Sequence, residues 1–457
     1  MIDLSYYLNV DNWFKILVEC DIKELCLEFG TVYPNKKLPE VIFAAKALNV
    51  LRLRGFKIEL PSNGMKFSSL RELHLVYSIL DEQLLQAICT VCSDLEVLSF
   101  RRFYGLISLQ VVGNLPKLRS VHLASCPPEF QMVDIAAPNM KDLSIISDRG
   151  DLNVLIIISA CVTLKRLKLV DVVVTDQWLE NLLPNLLNLE IFDLYLCSSL
   201  RTLKISSNRL KYLILVSCNN LIEVDLDTPN FLGFSSDVRY GNDIVNPLPA
   251  FHLKASPLLE VKVKLIPETV DTNWYSELTK SLSNFNHSKA ICLCCDDYKA
   301  IVIPKDMRDT LLPPLYGTKH LHIQITNQVN YLDVVGIVDS LLRFSPQVDT
   351  LSFSRTVDLE ILKFEKSCDM DKFEILSSPS ISWGYVLVID AADDEDEKPG
   401  CASLPWKCWR HELKKVELQQ NIDLMELLDL ENYFLTNTDV LEIIDAPRRW
   451  RRSNPVS

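Results

Sequence analysis

Leucine-type side chains recur along the first half of this chain in one repeated order of apolar and polar positions. An apolar anchor is followed by two residues, a second apolar residue, one intervening residue and a third apolar residue, as in residues 48–53 (LNVLRL). Further copies begin at Leu70, Leu95, Leu118, Met140, Leu164, Leu189 and Leu210. The steps between successive anchors are 22, 25, 23, 22, 24, 25 and 21 residues, and residues 22–27 (IKELCL) form an earlier copy.

Each copy predicts a short strand, because alternating apolar residues bury one face of a strand. Between the copies, residues 81–92 and 175–183 carry apolar side chains at helical spacing. Thr175 is a residue type that caps helix N-termini. A period in the low twenties with this pattern is typical of a leucine-rich-repeat solenoid. The predicted fold class is therefore α/β, with a curved parallel sheet inside and helices and short strands outside.

The spacing changes in the second half of the chain. Steps of 11, 10, 11 and 10 residues separate the anchors Leu189, Leu200, Leu210, Leu221 and Phe231. This half-period predicts that a second short strand replaces the helix on the outer wall. Later copies contain Val261, Ile291, Leu321 and Leu351, the last three spaced by 30 residues, with helical segments at 274–282 and 331–342. We expect one continuous sheet through the copies at Val261 and Ile291.

These patterns divide the chain into consecutive segments. Residues 1–21 form a lead-in, residues 22–265 the repeats, and residues 266–392 longer irregular repeats that continue the solenoid. The charged run within residues 391–400 (AADDEDEKPG) predicts an exposed acidic loop at 393–403. A C-terminal unit at 404–446 contains a predicted strand at 413–418 and a helix at 423–435. Residues 447–457 form a basic tail, which we interpret as a frayed terminus.

Composition restricts the possible functions of the 457-residue chain. Its net charge of −13 disfavours a nucleic-acid partner, because neutralising phosphates requires a basic stripe. The N-terminal residues show no basic region followed by an apolar one, so no secretory signal is predicted. The longest apolar stretch, residues 154–162, is too short to span a bilayer. The 14 cysteines are scattered along the sequence, so we expect reduced thiols. We therefore expect the protein in the cytoplasm, the nucleus or both. We expect no membrane partner.

The sequence contains no motif that predicts an enzyme. GxSxG, HExxH, GxxxxGK[ST] and GxGxxG are all absent from it. Residues 292–295 (CLCC) and 89–92 (CTVC) have the residue types of a metal site. No nearby histidine completes four ligands at the first, and the second has no second pair at zinc-ribbon spacing. We therefore predict structural cysteines, no catalytic residues, no cofactor and no metal. The protein is expected to be a non-catalytic binding or adaptor protein.

The open face of the predicted inner sheet is the candidate partner-binding surface. Polar residues that alternate with the apolar strand positions point away from the core on this concave face. Charges of both signs together with tyrosine suit a protein partner, since Arg and Tyr are favoured at interfaces. The candidate residues are Arg52, Arg54, Glu72, His74, Arg101, His122, Asp142, Arg166, Lys168, Asp193, Tyr195 and Tyr212. The alternative interpretation is that these are ordinary solvated strand residues.

Several phrases, taken in order, resemble the plant F-box/LRR proteins of the FBD type. Residues 38–43 (LPEVIF), 80–82 (LDE) and 92–98 (CSDLEVL) are similar to steps of that family's repeats. Residues 137–140 (APNM) and 228–231 (TPNF) are similar to its recurring APNL phrase. Residues 413–418 (LKKVEL) and 433–442 (YFLTNTDVLE) resemble its FBD region. The resemblance implies that residues 404–446 are an FBD-like C-terminal unit.

The resemblance also implies a function. It suggests the substrate-recognition part of an SCF-type E3 ubiquitin ligase, with a protein substrate on the inner sheet. In this family an F-box precedes the repeats and docks a Skp-type adaptor and cullin, and we identify no F-box pattern here. The alternative is therefore a stand-alone or decoy binding protein that does not recruit the ligase. An inhibitor-type solenoid that grips an enzyme is a further possibility that the sequence does not separate from the decoy.

Overall fold

The computed structural model describes residues 2–3, 14, 16, 18–30, 36–112, 115–148, 152–158, 160–240, 245–246, 249–253, 260–308, 311–326, 333–355, 384–391, 413–418, 424–437 and 442–443. The chain divides into two compact units. The first comprises Met1–Phe231 with His252–Ala255, and the second comprises Leu232–Phe251 with Ser256–Ser457. The predicted acidic loop, the basic tail and most of the lead-in lie outside the described residues.

Short parallel strands build the first unit. In chain order they are β1 (Ile2–Asp3), β2 (Glu24–Glu28), β3 (Lys36–Lys37), β4 (Val50–Arg54), β5 (Phe56–Lys57), β6 (Glu72–Val76), β7 (Val97–Arg101), β8 (Ser108–Val112), β9 (Ser120–Ala124), β10 (Met132–Ala136), β11 (Asp142–Ile146), β12 (Leu155–Ile157), β13 (Arg166–Val170), β14 (Ile191–Tyr195), β15 (Thr202–Ser206), β16 (Tyr212–Val216) and β17 (Glu223–Asp227). The inner sheet pairs β1, β2, β4, β6, β7, β9, β11, β13, β14 and β16 in that order, all in parallel. Each copy of the sequence pattern from residue 22 to residue 215 supplies one of these strands.

The register of the inner sheet stacks the apolar residues of successive copies into two buried rows. Leu51 lies opposite Leu73, and Leu53 lies opposite Leu75, with the same alignment continued from strand to strand. These side chains are at most 2% exposed. Burying a leucine stabilises the fold by about 1.5–3 kcal/mol relative to leaving it exposed. The repeated pattern therefore specifies both the strand and its pairing.

Two helices cover the outer side of the first unit at the predicted places. Helix α1 (Glu82–Val91) begins after Asp81, whose carboxylate accepts a hydrogen bond of 2.8 Å from the Leu84 N–H. Helix α2 (Asp176–Leu182) begins after Thr175, whose hydroxyl accepts one of 3.3 Å from the Trp178 N–H. Both caps satisfy N–H groups that have no partner inside the helix. The two helices predicted from apolar spacing are confirmed.

Outer strands begin earlier than the sequence pattern predicted. Strands β8, β10 and β12 pair in parallel over residues 108–157, where we expected one helix per repeat. The reason is that buried and exposed side chains alternate in this segment, as they do in a strand: Leu109 and Val111 are buried, whereas Gln110 is exposed. The length of the repeat does not reveal this alternation. The outer strands predicted after Leu189 are present as β15 and β17, which also pair in parallel.

A turn ladder joins successive repeats of the first unit. Asn139, Asn188, Asn220 and Asn230 each precede an anchor residue. Their side-chain amides donate to backbone carbonyls of the previous turn, at Pro116 (2.7 Å), Val162 (2.8 Å), Ser198 (2.6 Å) and Asn208 (2.9 Å) respectively. The asparagine of the APNM and TPNF phrases therefore satisfies an acceptor that the irregular turn leaves unpaired.

A left-handed residue follows many of the inner strands. Tyr77, Arg102, Ser125, Asp171, Leu196 and Ser217 have φ between 49° and 57°. The N–H of Tyr77 donates to the Arg101 carbonyl at 2.9 Å, which extends the ladder one residue beyond β6. After β4 the same position is Gly55, with φ of 81°. A Cβ there would lie 2.6 Å from the Phe29 carbonyl oxygen, so only glycine fits.

The second unit also contains a parallel sheet. Its helices are α3 (Thr272–Ser283), α4 (Val334–Phe344) and α5 (Leu424–Asn437), and its strands are β18 (Gly233–Tyr240), β19 (Val245–Asn246), β21 (Glu260–Pro267), β22 (Ala290–Cys295), β23 (His320–Ile325), β24 (Thr350–Arg355), β25 (Gly384–Ala391), β26 (Leu413–Leu418) and β27 (Glu442–Ile443), while β20 (Ala250–Leu253) has residues in both units. Strands β18, β21, β22, β23 and β24 pair in parallel in that order. Val261 lies directly opposite Ile291, as expected for an uninterrupted sheet.

The parallel order ends at β24. Strand β25 is antiparallel to both β24 and β26, whereas the sequence predicted repeats continuing to residue 392. Strand β26 and helix α5 lie where the C-terminal unit was predicted. Helix α5 packs on α4. In α5, Phe434 is fully buried, and the Tyr433 hydroxyl donates to Asp339 of α4 at 2.6 Å. The buried Asp339 carboxylate also accepts from Arg308 (2.8 Å) and Arg343 (3.2 Å). The hydrogen bond from Tyr433 to Asp339 therefore holds α5 against α4.

Replacing Asn188 tests the turn ladder. We expect N188A to lower the free energy of unfolding by about 1 kcal/mol, because the Val162 carbonyl loses its donor. The measurement is urea denaturation followed by circular dichroism. The control is N181A on α2, where the exposed asparagine makes no side-chain hydrogen bond within the described part of the chain. Equal losses of unfolding free energy in N188A and N181A would contradict a stabilising role for the Asn188 hydrogen bond.

Replacing Gly55 tests the left-handed turn. We expect G55A to destabilise the protein by about 3 kcal/mol, from a backbone penalty of about 1–2 kcal/mol and the clash with Phe29. The control is G64A, where φ is also positive at 68° but no atom lies within 4 Å of the new Cβ. That variant should lose only about 1–2 kcal/mol, the cost of the backbone conformation alone. Thermal and urea unfolding of the two proteins would separate these contributions.

Candidate protein-binding surface

The open face of the inner sheet in the first unit consists of three rows of side chains. The register aligns the first, third and fifth residues of strands β2 to β16 across the sheet. All twelve sequence-predicted candidates fall in these rows. The first row contains Glu72, Asp142, Arg166 and Tyr212, the second contains Arg52, His74, His122, Lys168 and Asp193, and the third contains Arg54, Arg101 and Tyr195. Whether any of them contacts a partner stays a prediction.

Basic side chains concentrate between β4 and β9. The Arg52 guanidinium donates to Glu72 at 3.0 Å, and the ring of His74 lies 3.1 Å from the same carboxylate oxygen. Arg54 pairs with Glu28 at 3.1 Å. These contacts involve exposed or half-exposed groups, so each pair stabilises the fold by at most about 1 kcal/mol. Their main effect is to orient the arginines on the face.

Two residues of this region were missed by the sequence analysis. Tyr77 and Arg102 occupy the left-handed positions just after β6 and β7, and the Arg102 guanidinium donates to the Tyr77 hydroxyl. The Arg54 and Arg102 guanidinium carbons lie 5.2 Å and 5.1 Å from the centre of the Tyr77 ring, within cation–π range. Both residues come directly after a strand, where the alternation of strand positions no longer applies, so the sequence pattern does not place them on this face.

A second charged group lies on β13 and β14. Arg166 donates to one Asp193 oxygen through Nε at 3.1 Å and through Nη2 at 2.8 Å. Asp193 is 0% exposed, and burial raises its pKa while the Arg166 charge opposes this rise. Asp193 lies in the second row but is buried and already paired with Arg166, so its contact with a partner stays a prediction. Beside them, the Lys168 ammonium lies 5.1 Å from the centre of the Tyr195 ring.

The cysteines of the second unit were also located. Cys292 and Cys294 lie on the same face of β22 with their sulfur atoms 3.7 Å apart, and the Cys294 thiol donates to Gln324 at 3.2 Å. The sheet brings His322 opposite Cys292, although it is 30 residues further along the chain. Burial lowers the pKa of His322 to about 4. Within the described residues, no three side chains are arranged to hold a metal ion.

The cysteines of helix α1 and its end are structural in character. Cys89 and Cys92 are buried, and burial raises their pKa values to about 11 and about 12. A thiol with such a pKa carries almost no thiolate near neutral pH and is a poor nucleophile or metal ligand.

Among the helices that the structure describes, none is long and apolar enough to cross a membrane.

A parallel sheet built from one short strand per repeat, with an open polar face, defines a leucine-rich-repeat protein. Family models match the same region. Residues 10–161 match the repeats of the FBD-associated F-box protein At5g56370, and residues 152–246 match the leucine-rich-repeat domain of At1g61320/AtMIF1. Residues 10–246 are thus similar to the leucine-rich repeats of FBD-associated F-box proteins.

Curated relatives from Arabidopsis thaliana agree. The F-box/FBD/LRR-repeat protein At5g56420 is 30% identical over 142 residues, which are 30% of this chain and 34% of that protein. The FBD-associated F-box protein At1g61320 is 27% identical over 137 residues, or 29% of each. The chain thus spans about a third of the length of the curated relatives that it matches.

Two bacterial proteins are among the solved structures that match this chain. An internalin (InlF) of Listeria monocytogenes is 14% identical with a TM-score of 0.35, covering 74% of this chain and 88% of its own. The Leptospira interrogans LRR protein LIC12759 is 15% identical with a TM-score of 0.35, covering 77% and 90%. At these values neither likeness bears on function.

Removing Arg166 tests the buried ion pair. R166A leaves Asp193 buried without its cation, so we expect a loss of about 3 kcal/mol in unfolding free energy near neutral pH. Burial then raises the Asp193 pKa further above that of the unfolded chain, and the folded state binds this proton more tightly. Stability of the variant should therefore fall as the pH rises through that window, giving a larger loss at about pH 8 than at about pH 5.

The double variant R166A/D193N provides the control. It removes the buried charge together with its partner, so it should recover part of the stability and lose the extra pH dependence. Urea titrations of the three proteins at both pH values make the comparison. A pH-independent loss in R166A would show that the arginine acts through packing alone.

Proposed function

We propose that this chain is a non-catalytic receptor that binds a protein partner on the open face of the first unit's inner sheet. We further propose that it serves as the substrate-recognition part of an SCF-type E3 ubiquitin ligase. The main support for the binding role is the open face of the inner sheet, where the strand register aligns the outward residues in rows. Its buried rows are continuous, while Arg52, Arg54 and Arg101 remain exposed on the opposite side of the same strands.

The chemistry of this face favours a polypeptide partner. Arginine and tyrosine are among the side chains most enriched in the cores of protein interfaces, and the rows present both, with Tyr195 and Tyr212 half-buried on β14 and β16. Lys168 and Tyr195 already contact each other. Less side-chain freedom is then lost on binding than for isolated flexible groups. The net charge of −13 disfavours a nucleic-acid partner.

The ligase role is supported by the family. The matching relatives are described as F-box and FBD proteins, and an F-box would supply the contact to a Skp-type adaptor and cullin. Because the matches span about a third of each relative, this role is a proposal about the gene product as a whole. The repeats described here would contribute the substrate-binding part.

Partner capture with inner-face variants tests the binding role. We expect K168E/Y212A to lose proteins that cross-link to the wild-type chain in a plant extract, by about tenfold or more in quantitative mass spectrometry. The matched control K204E changes an exposed lysine on the outer strand β15 and should retain them. Equal capture by all three proteins would contradict binding on the inner face.

The ligase role requires its own measurement. Full-length gene product expressed in plant cells should co-purify a Skp-type adaptor and cullin, and the captured partner should gain ubiquitin in a reconstituted reaction. Partner capture without adaptor, cullin or ubiquitin transfer would instead identify a stand-alone or decoy binding protein. The inner-face variant should abolish ubiquitin transfer while leaving adaptor binding intact, because the two contacts lie on different parts of the protein.

A further inference from the structure

Four arginines form a continuous patch on the open face of the first unit. Arg52 and Arg54 lie on β4, Arg101 ends β7, and Arg102 follows it; all four are exposed. Arg54 and Arg102 lie on the Tyr77 ring. We name this group the arginine patch. Two carboxylates pair with it, Glu72 with Arg52 and Glu28 with Arg54. The patch therefore keeps a net positive charge on a chain whose net charge is −13.

The charge that remains is concentrated at Arg101 and Arg102. Neither guanidinium forms an ion pair with a carboxylate anywhere in the part of the chain that the structure describes. The Tyr77 ring and hydroxyl hold Arg102 in place. In the second and third rows from β4 to β9, the remaining residues are His74, Ser99, His122, Val76 and Ala124. None of these is acidic, so these two rows add no negative charge beside Arg101. Next to Arg102, the Asp148 carboxylate accepts a hydrogen bond from Ser125 in the following turn.

The dimensions of the patch suit an extended chain. From β4 to β7 the sheet advances two strand spacings, or about 10 Å. An extended segment of about three residues covers that distance. Val76 and Ala124 lie in the third row next to the arginines and offer a small apolar floor for the side chains between the charges. A single small anion would need all four donors to converge on one point, whereas these guanidiniums come from β4 and from the end of β7, two strand spacings apart.

We propose that the arginine patch binds an acidic segment of the protein partner, with aspartate or glutamate side chains spaced along an extended chain. The proposal rests on the proposed function and deepens it by naming the class of segment that is recognised. Guanidinium and carboxylate groups match in geometry and form paired, charge-assisted hydrogen bonds. An acidic segment also complements the region of the inner face where four arginines face two carboxylates.

Selection from a random peptide library tests the chemistry without assuming a partner. The purified full-length chain and its variant R101E/R102E are each used to pan a displayed library of dodecapeptides. Wild-type protein should enrich peptides rich in aspartate and glutamate, and R101E/R102E should not. The control R201E/R209E reverses two exposed arginines that lie outside the three rows and should enrich the same acidic peptides as wild type. Enrichment of neutral or basic peptides by the wild-type protein would overturn the proposal.

Binding of one enriched peptide, labelled with fluorescein, then gives the strength of the interaction. We expect R101E/R102E to weaken binding by about tenfold or more, and the charge-neutral variant R101Q/R102Q to weaken it less. Changing the peptide glutamates to glutamine should weaken binding to wild type to a similar degree. Circular dichroism melting curves confirm that each variant is folded. If anionic lipid vesicles or single-stranded RNA bind more tightly than the peptide, the acidic-segment proposal fails.

The outcomes separate this proposal from the proposed function. If K168E/Y212A loses the cross-linked partners while R101E/R102E retains them, the inner face binds a protein but the arginine patch is not part of the binding site. If both variants retain the partners, the proposed binding face is itself wrong. If both lose them and the enriched peptide competes with capture, both proposals stand.

Discussion

The unbroken parallel register of the inner sheet is the constraint on which the rest of the first unit depends. Each strand is only about five residues long and has little stability alone, so its apolar residues must align with those of the neighbouring strands. Leu51 opposite Leu73 and Leu53 opposite Leu75 show this alignment. Once those rows are buried, the alternate residues have to form rows on the other face, because a shift of one residue would exchange the two faces. The candidate binding surface is thus a geometric consequence of the core.

Charges on this face fall into two groups with different consequences. Asp193 is fully buried and paired with Arg166, and that pair is part of the sheet's own structure. Arg101 and Arg102 are exposed, and Tyr77 rather than a carboxylate orients Arg102. Sequence alternation treats Arg101, Arg166 and Asp193 as equivalent outward positions. Burial decides which charge is already compensated within the fold and which is available to a partner.

The elements that were predicted well are those determined by local sequence. Inner strands follow from the apolar alternation, and α1 and α2 follow from helical spacing with a capping Asp81 or Thr175. The outer strands β8, β10 and β12 were missed because the gaps between anchors are long enough for a helix, and only the alternation of Leu109 with Gln110 indicates a strand. The antiparallel β25 and the position of His322 opposite Cys292 depend on pairing between segments about 30 residues apart, which no local pattern encodes.

The sequence by itself therefore determined the repeat, the inner-strand positions, the buried rows and the residues of those strands that face outward, because side-chain alternation and hydrophobic burial act within a few residues. The tertiary structure decided how those outward residues group. Arg52, Arg54, Arg101 and Arg102 come from two repeats that are not adjacent in the chain, and Tyr77 comes from the repeat between them. They meet because parallel pairing brings residues more than 20 positions apart to about the spacing of neighbouring strands. The density of positive charge on this face therefore depends on strand pairing. That density determines which chemistry a partner must have.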